Sequence, residues 1–549
     1  MMHCLRIFGA YSFRLSRRHS TVLLILSLIG TLTILFHLYS YRHQEYNYTP
    51  IKIGDFDYRP GAFLKDVQPN ENKSYCEFNY GLPDTFKLDN LQIHGTPEGG
   101  VSSSYRVIYN VIKGSAYSNH SKYDAVTYAT QATPEFIYHV VEIARYWDGP
   151  ISLAVFVPNY DFEITIQIMA HLCRCYPGMA KVSLHLFYPK HYPPQMRPKP
   201  EILTTTSTEP PTTSENVTSE ELFRRKLENY RNLDPKTRAE YIIKAREKKI
   251  KKMMVKHSKK RTNAPYLSFE DCSGLENFNL PTYRREYHMI YPINVGRNVA
   301  RNASRTNYFI VSDIEMVPND GLAPKFLAMM RKLMGDKKRD EGCIFAKTVF
   351  VVPLFEVEKG EEIPRDKSTL TEMVAANRAR YFHAKFCHHC QRFPGLQTWL
   401  GRPSQNIVEP MLIARREYPY HRWEPLYFGT RKEPWYSEAL SWEGKQDKMT
   451  QMIELCLQDY RVVVLDGAFL CHAASKPVSR HPKAERLNSR RYGYIIEDLK
   501  KYLPGHACKL FWGIKGVHGV YKLPIHVHIP SKEISKIYKR RFLTFLSPA

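Results

Sequence analysis

A chain of 549 residues with 43% hydrophobic and 13% aromatic residues can build one large domain or two to three ordinary ones, which excludes an intrinsically disordered protein. The formal net charge of +25 invites a nucleic-acid reading, but between Leu222 and Arg261 sixteen Lys and Arg stand against four Asp and Glu, a net +12. A solvated basic tract, or one that touches acidic glycans or other anionic partners, accounts for that clustering better than a nucleic-acid surface.

Residues 1–20 carry Arg6, Arg14, Arg17 and Arg18 and read as a cytosolic tail. Thr21 to Tyr39 is a nearly uncharged apolar run of the length that a bilayer core asks of a helix. It ends in His37, Leu38 and Tyr39 rather than a small-residue cleavage site, so an uncleaved signal anchor over 21–40 is expected ahead of a cleaved leader. The basic residues in front keep the N-terminus cytosolic and place the rest in a lumen. Ten of the eleven cysteines then lie in an oxidising compartment, along with Asn-x-Ser/Thr sites at Asn47, Asn72, Asn119, Asn216 and Asn302.

Residues 41–119 are polar and read as a stem that leads into the folded body. Asp124–Thr130 is a strand candidate, and Thr133-Pro134 opens a helix that runs to Trp147 and stops at Gly149-Pro150. A strand at Ile151–Val157, a helix around Phe162–Tyr176 and a strand at Val182–Tyr188 follow. Strands alternating with helices at this spacing predict an α/β domain with a parallel sheet. From about 190 to 263 a Pro- and Thr-rich stretch followed by the basic tract reads as a surface insertion.

Beyond it, Arg297 and Arg301 lie four apart, on one face of any helix that holds them. Both a phosphate-binding face and a solvated one fit that spacing. Tyr308–Val311 is an apolar strand, and Asp313 and Glu315 follow it two positions apart, on the same side. Ligands bind at the carboxyl ends of strands in open α/β sheets, and a hard divalent cation carrying a nucleotide diphosphate would satisfy two neighbouring carboxylates. A helix-capping Asp beside an exposed Glu is the alternative.

A helix near Ala323–Met334 and a strand at Thr348–Glu356 come next. Cys387-His-His-Cys390 offers only part of a zinc ligand set, and in an oxidising lumen disulfides are preferred. His421-Arg-Trp-Glu-Pro-Leu-Tyr427 packs aromatics around one acid. Arg461–Asp466 and Ala468–His472 read as a hairpin or strand pair, ending in what would ordinarily be a core histidine.

Tyr291-Pro-Ile-Asn-x-x-Arg-Asn-Val-Ala-Arg301, Ser312-Asp-Ile-Glu-Met-Val-Pro-x-x-Gly-Leu322, Val351-Val-Pro-x-Phe-Glu356, Cys387-x-x-Cys390, Trp423-Glu-Pro-x-Tyr427 and Phe469-Leu-x-His472 occur in this order. Together they resemble glycosyltransferase family 49, the family of a β-1,4-glucuronyltransferase and of the C-terminal domain of LARGE-type enzymes. The resemblance covers about 120–500, apart from the insertion at 190–263.

The resemblance implies a GT-A-like nucleotide-sugar-binding fold with a mostly parallel central sheet over 120–549, preceded by one transmembrane helix. It implies a Golgi type II membrane protein that uses a UDP-sugar, Mn²⁺ and inversion at the anomeric carbon. By motif position Asp313, Glu315 and His472 are the metal ligands, which replaces the core reading of His472. Arg297 and Arg301 would assist Asp313 at the donor phosphates. Glu424, between Trp423 and Tyr427 that would stack on sugar rings, is the candidate base, with a structural role as its alternative, and Asp447 is a second candidate. Glu315 departs from the family, whose better-known members carry Asp there. The implied donor sugar is glucuronic acid and the acceptor a glycan or glycoprotein. Self-association, or association with other Golgi transferases, is a further expectation, and nucleic acid is not expected as a partner. A catalytically silent glycan-binding relative and a heparin-type binder working through the basic tract are the competing readings.

Overall fold

The structure, a computed structural model, describes residues 30–33, 74–81, 86, 88–196, 267, 269, 272, 280–334, 347–414, 419–440, 446–473 and 482–502. Two units, Met1–Pro50 and Ile51–Ala549, divide the chain. In the first unit only a helical turn at 30–33 is described. Among the described residues no helix is long and apolar enough to cross a membrane, which corrects the expected transmembrane helix. One turn of helix covers about 5 Å, against the 30 Å or so of a bilayer core. The basic tract Leu222–Arg261, and all of the expected insertion but 190–196, lie outside the described residues.

Three short to medium strands, β1 (Glu77–Phe78), β2 (Ile93–His94) and β3 (Tyr105–Lys113), enter the sheet before the expected domain start. Then β4 (Val126–Ala132), α1 (His139–Tyr146), β5 (Ile151–Phe156), α2 (Asp161–Cys175) and β6 (Val182–Pro189) alternate as the sequence predicts. Every residue of β4 and β5 is buried, because helices cover both faces and no alternation is needed. Gly149 ends the first crossover where a Cβ would lie 2.3 Å from the Val126 carbonyl oxygen.

The second half contributes α3 (Tyr283–Glu286), α4 (Ile293–Ala303), β7 (Tyr308–Val311), β8 (Val317–Pro318), α5 (Leu322–Met334), β9 (Thr348–Val352), β10 (Leu354–Val357), α6 (Lys367–Ala375), β11 (Ala379–Tyr381), α7 (Leu396–Gly401), β12 (Glu409–Ala414), β13 (Leu426–Gly429), α8 (Met449–Leu457), β14 (Arg461–Asp466), β15 (Leu470–Ala473) and α9 (Pro482–Tyr502). The large sheet runs β1-β3-β6-β5-β4-β7-β13-β9-β14-β12, with β2 paired to β3. Its centre, β6-β5-β4-β7, is parallel, as is the β9–β14 pair. The pairs on either side, β3–β6, β7–β13, β13–β9 and β12–β14, are antiparallel. The sheet is therefore mixed, which corrects the expectation of a mostly parallel one. A GT-A-like α/β architecture accommodates that mixture.

One face of the centre packs on α1, α2 and α5 through Val140, Ile143, Phe162 and Phe326. The other packs on α4 through Ile293, Val295 and Val299. At about 1.5–3 kcal/mol per fully buried large apolar side chain, these two layers supply the main drive to fold.

A second sheet of four strands runs β11-β10-β15-β8. Three segments pass from the large sheet to the small one. β7 leads into β8, β9 into β10, and β14 into β15. The single strand expected over Thr348–Glu356 is thus two, divided at Pro353, whose missing N–H ends the β9 ladder. The expected pairing of 461–466 with 468–472 is also corrected. Gly467, at φ +70°, turns the chain from one sheet to the other, and a Cβ there would sit 2.0 Å from the Ile407 carbonyl oxygen.

Candidate active site

Asp313 and Glu315 lie in the β7–β8 crossing, and His472 lies in β15. β4 and β7 are parallel with Ala129 opposite Val311, so Gln131 and Asp313 leave the sheet side by side, two residues further on. The Gln131 amide donates to Asp313 Oδ1 at 2.9 Å. β15 and β8 are antiparallel with Leu470 opposite Pro318 and Cys471 opposite Val317, which carries His472 toward Glu315. His472 Nε2 is 2.8 Å from Glu315 Oε2, and His139, in the first turn of α1, is 3.6 Å from Glu315 Oε1.

The electrostatics keep both carboxylates ionised. Burial alone would raise Asp313, but Lys448 (Nζ 3.7 Å from Oδ2), Arg297 (Nη2 3.2 Å from Oδ1) and Gln131 together hold it well below the usual carboxylate range. Burial likewise opposes ionisation of Glu315, and the hydrogen bond with His472 leads the contributions that outweigh it and hold Glu315 below the usual carboxylate range. Burial pushes His139 down to about 4, so its imidazole is neutral at neutral pH and can donate an electron pair.

Two carboxylates and neutral imidazole nitrogens form a donor set that suits Mn²⁺, so Asp313, Glu315 and His472 fit the implied cation in chemistry. Their geometry is open. Glu315 and His472 touch, while Asp313 faces Arg297 and Lys448. Among the described residues, only His171, Cys175 and Cys272 bring three ligand atoms within 4.8 Å of one another. That group holds the Cys175–Cys272 disulfide, which removes its thiolates.

The structure reassigns the two arginines. On α4, Asn294, Arg297, Asn298 and Arg301 share a face that straps down residues 430–438 and Asp447. Asn294 Nδ2 donates to the carbonyls of Ser437 (3.0 Å) and Asp447 (2.8 Å), and Asn298 Nδ2 to that of Tyr436 at 2.8 Å. Arg301 is 2% exposed, and its guanidinium donates to the carbonyls of Pro434, Glu433 and Thr430, 4.6 Å from the Trp435 ring. It is not brought to the site. Arg297, equally buried, is held between Asp447 Oδ2 at 2.8 Å and Asp313. It supports Asp313 from behind rather than opening toward a ligand. Gly296 lets α4 approach the sheet this closely, because a Cβ there would be 2.9 Å from Gln131 Cβ.

Asp447 is buried in its ion pair with Arg297. Glu424 is half-buried, and its backbone is fixed at both ends. Its N–H donates to the Cys390 carbonyl at 2.8 Å, and its carbonyl accepts from Gln391 Nε2 at 3.0 Å. Cys387 and Cys390 form a disulfide, as preferred from the sequence, so a closed loop anchors Glu424. The Glu424 carboxylate acts electrostatically on Lys448. Trp423 and Tyr427 are buried in the core between the two sheets, which corrects the expectation that they stack on sugar rings.

Gln131, His139 and Lys448 were not singled out from the sequence. Gln131 had a signal, as a polar residue at the carboxyl end of a central strand. His139 and Lys448 had none, because tertiary packing alone brings a helix face and a loop end to the acidic pair.

The profile of a family described as glycosyl-transferase for dystroglycan matches residues 125–504. This chain belongs to glycosyltransferase family 49. It is a glycosyltransferase, and the family implies a nucleotide-sugar donor and a glycan acceptor. Among relatives, β-1,4-glucuronyltransferase 1 of Bos taurus is 24% identical over 416 residues, covering 74% of this chain and 82% of the relative. The Danio rerio protein of that name is 25% identical over 434 residues, with the same coverage. The xylosyl- and glucuronyltransferase LARGE2 of Mus musculus is 28% identical over 210 residues, 35% of this chain and 27% of the relative.

Proposed function

We propose that this family-49 chain transfers glucuronic acid, with inversion, from UDP-glucuronic acid to a hydroxyl of a glycan acceptor in the Golgi lumen, supported by Mn²⁺. The observation that carries the reading is the acidic pair Asp313 and Glu315, held ionised at the carboxyl end of β7 with His472 against it. The names of the relatives support glucuronic acid, since glucuronyl transfer appears in each of them. Disulfides Cys76–Cys173, Cys175–Cys272 and Cys387–Cys390 suit an oxidising lumen.

In this reading Asp313, Glu315 and His472 hold the cation, which when bound neutralises charge on the departing diphosphate. Gln131 and Arg297 keep Asp313 oriented, and Asp447 keeps Arg297 in place. Glu424 accepts the acceptor's hydroxyl proton as that oxygen bonds to the anomeric carbon. The bond from that carbon to the diphosphate breaks, and its electron pair leaves with UDP.

A panel of UDP-sugars offered with Mn²⁺ tests the donor. Turnover with UDP-glucuronic acid above the others, and a product of opposite anomeric configuration by NMR, is the expected result. Turnover confined to a different UDP-sugar would remove glucuronic acid. Binding of UDP without turnover of any donor would favour the catalytically silent relative.

A further inference from the structure

With Arg301 bound to loop carbonyls and Arg297 locked between two carboxylates, the donor phosphates need another cation. Lys448 stands at that place. It directly precedes the nine-residue helix α8, and no side chain caps that helix. Its side chain is 12% exposed, and its Nζ lies 3.7 Å from Asp313 Oδ2, beyond a normal hydrogen-bond length. Asp447 and Glu424 flank it, and Arg297 is the like charge behind it.

The three positions differ in what they can release. Arg301 cannot leave its carbonyls without stranding buried acceptors, and Arg297 cannot leave Asp447 without burying an unpaired charge. Lys448 has a flexible stem, three donors and a loose contact with Asp313. The amino end of α8 adds a partial positive charge of its own.

We propose that Lys448 binds the diphosphate of the nucleotide-sugar donor and holds the charge that the nucleoside diphosphate gains on departure. This rests on the donor reading above. As the bond between anomeric carbon and diphosphate oxygen breaks, the pair stays on that oxygen, and the acceptor hydroxyl supplies the new bond to carbon. Lys448 gives up no proton in the step. It is an electrostatic partner of the oxygen that leaves.

Calorimetric titration of the full-length protein with UDP and with uridine, in the presence of Mn²⁺, tests this. Lys448→Met should weaken UDP binding about ten- to a hundred-fold, the range for a lost hydrogen bond to a charged group, and leave uridine binding unchanged. Lys448→Arg, which keeps the charge, should retain most of the UDP affinity. Equal loss of UDP and uridine in Lys448→Met would assign Lys448 to the structure alone and overturn the proposal. Unchanged UDP binding in Lys448→Met would overturn it while the donor reading stands. A parent protein that binds neither UDP nor uridine would remove the donor reading and this proposal together.

Discussion

His472 Nε2 and Glu315 Oε2 meet at 2.8 Å, although one belongs to β15 and the other to the β7–β8 crossing, 157 positions away. The β8–β15 register creates that contact, and the same carboxylate extends to His139. The longer Glu side chain, where better-known family members carry Asp, therefore spans two imidazoles.

Gln131 holds Asp313 from the side, and groups that orient a metal ligand typically contribute 10–100-fold in metal affinity. Gln131→Ala should lower Mn²⁺ affinity by about that factor, while His472→Ala lowers it further. The count of free Mn²⁺ by electron paramagnetic resonance in a titration reads both. Unchanged affinity in both variants would contradict the assignment.

Arg301 distinguishes a strap from a phosphate clamp. Arg301→Met strands the carbonyls of Glu433 and Thr430, each lost partner costing about 1–3 kcal/mol, while that of Pro434 keeps Gln451 Nε2. We expect at least about 2 kcal/mol of destabilisation in urea unfolding. UDP affinity of the folded fraction should stay within about threefold of the parent, since the arginine does not reach the site. A variant of parental stability that has lost UDP would reverse the assignment.

Glu438 gives the stability a pH dependence. Its carboxylate accepts from the Thr96 hydroxyl at 2.5 Å, the backbone N–H groups of Glu98 and Gly99, and Asn298 Nδ2. Burial first, and then the charge of Glu98, push it up to about 7. The folded state thus binds this proton more tightly than the unfolded state. The stabilisation is complete below the ordinary carboxyl range near 4.5 and fades as pH rises toward 7. The melting temperature should fall across that window, and Glu438→Gln should flatten the fall. Equal slopes for the two proteins would contradict this.

Reduction of the Cys387–Cys390 loop should loosen Glu424, whose N–H is bonded to the Cys390 carbonyl. Closing so short a loop is worth about 2 kcal/mol in the chain-entropy account. Replacement of both cysteines by serine should cost stability of that order and lower kcat, with KM for the donor little changed. An unaltered kcat would separate Glu424 from the chemistry.

The sequence displayed the central layer well. The largely apolar runs of β5 and β6, broken only by Ser152, Ser183 and His185, and the single apolar face of α1 follow from burial between helices and sheet. The alternation of a strand also placed Asp313 and Glu315 on one side. Pro353 and Gly467 were visible as breakers, but run length masked the change of sheet that each one marks. Arg297 and Arg301 showed the limit of spacing. Four residues apart on a helix fits a phosphate clamp and a carbonyl strap equally, and only the burial of α4 under residues 430–438 and Asp447 separates the two. Lys448 comes from a stretch with no periodicity, and no local pattern could carry it to Asp313.

The most direct test of the central claim is UDP release by the full-length protein from UDP-glucuronic acid with a glycan acceptor, with Mn²⁺, after EDTA, and in Asp313→Ala. The account predicts turnover with Mn²⁺, none after EDTA with recovery on adding the metal back, and a loss of at least about a thousandfold in Asp313→Ala. Full turnover without a divalent cation, undiminished in Asp313→Ala, would contradict the assignment of Asp313, Glu315 and His472.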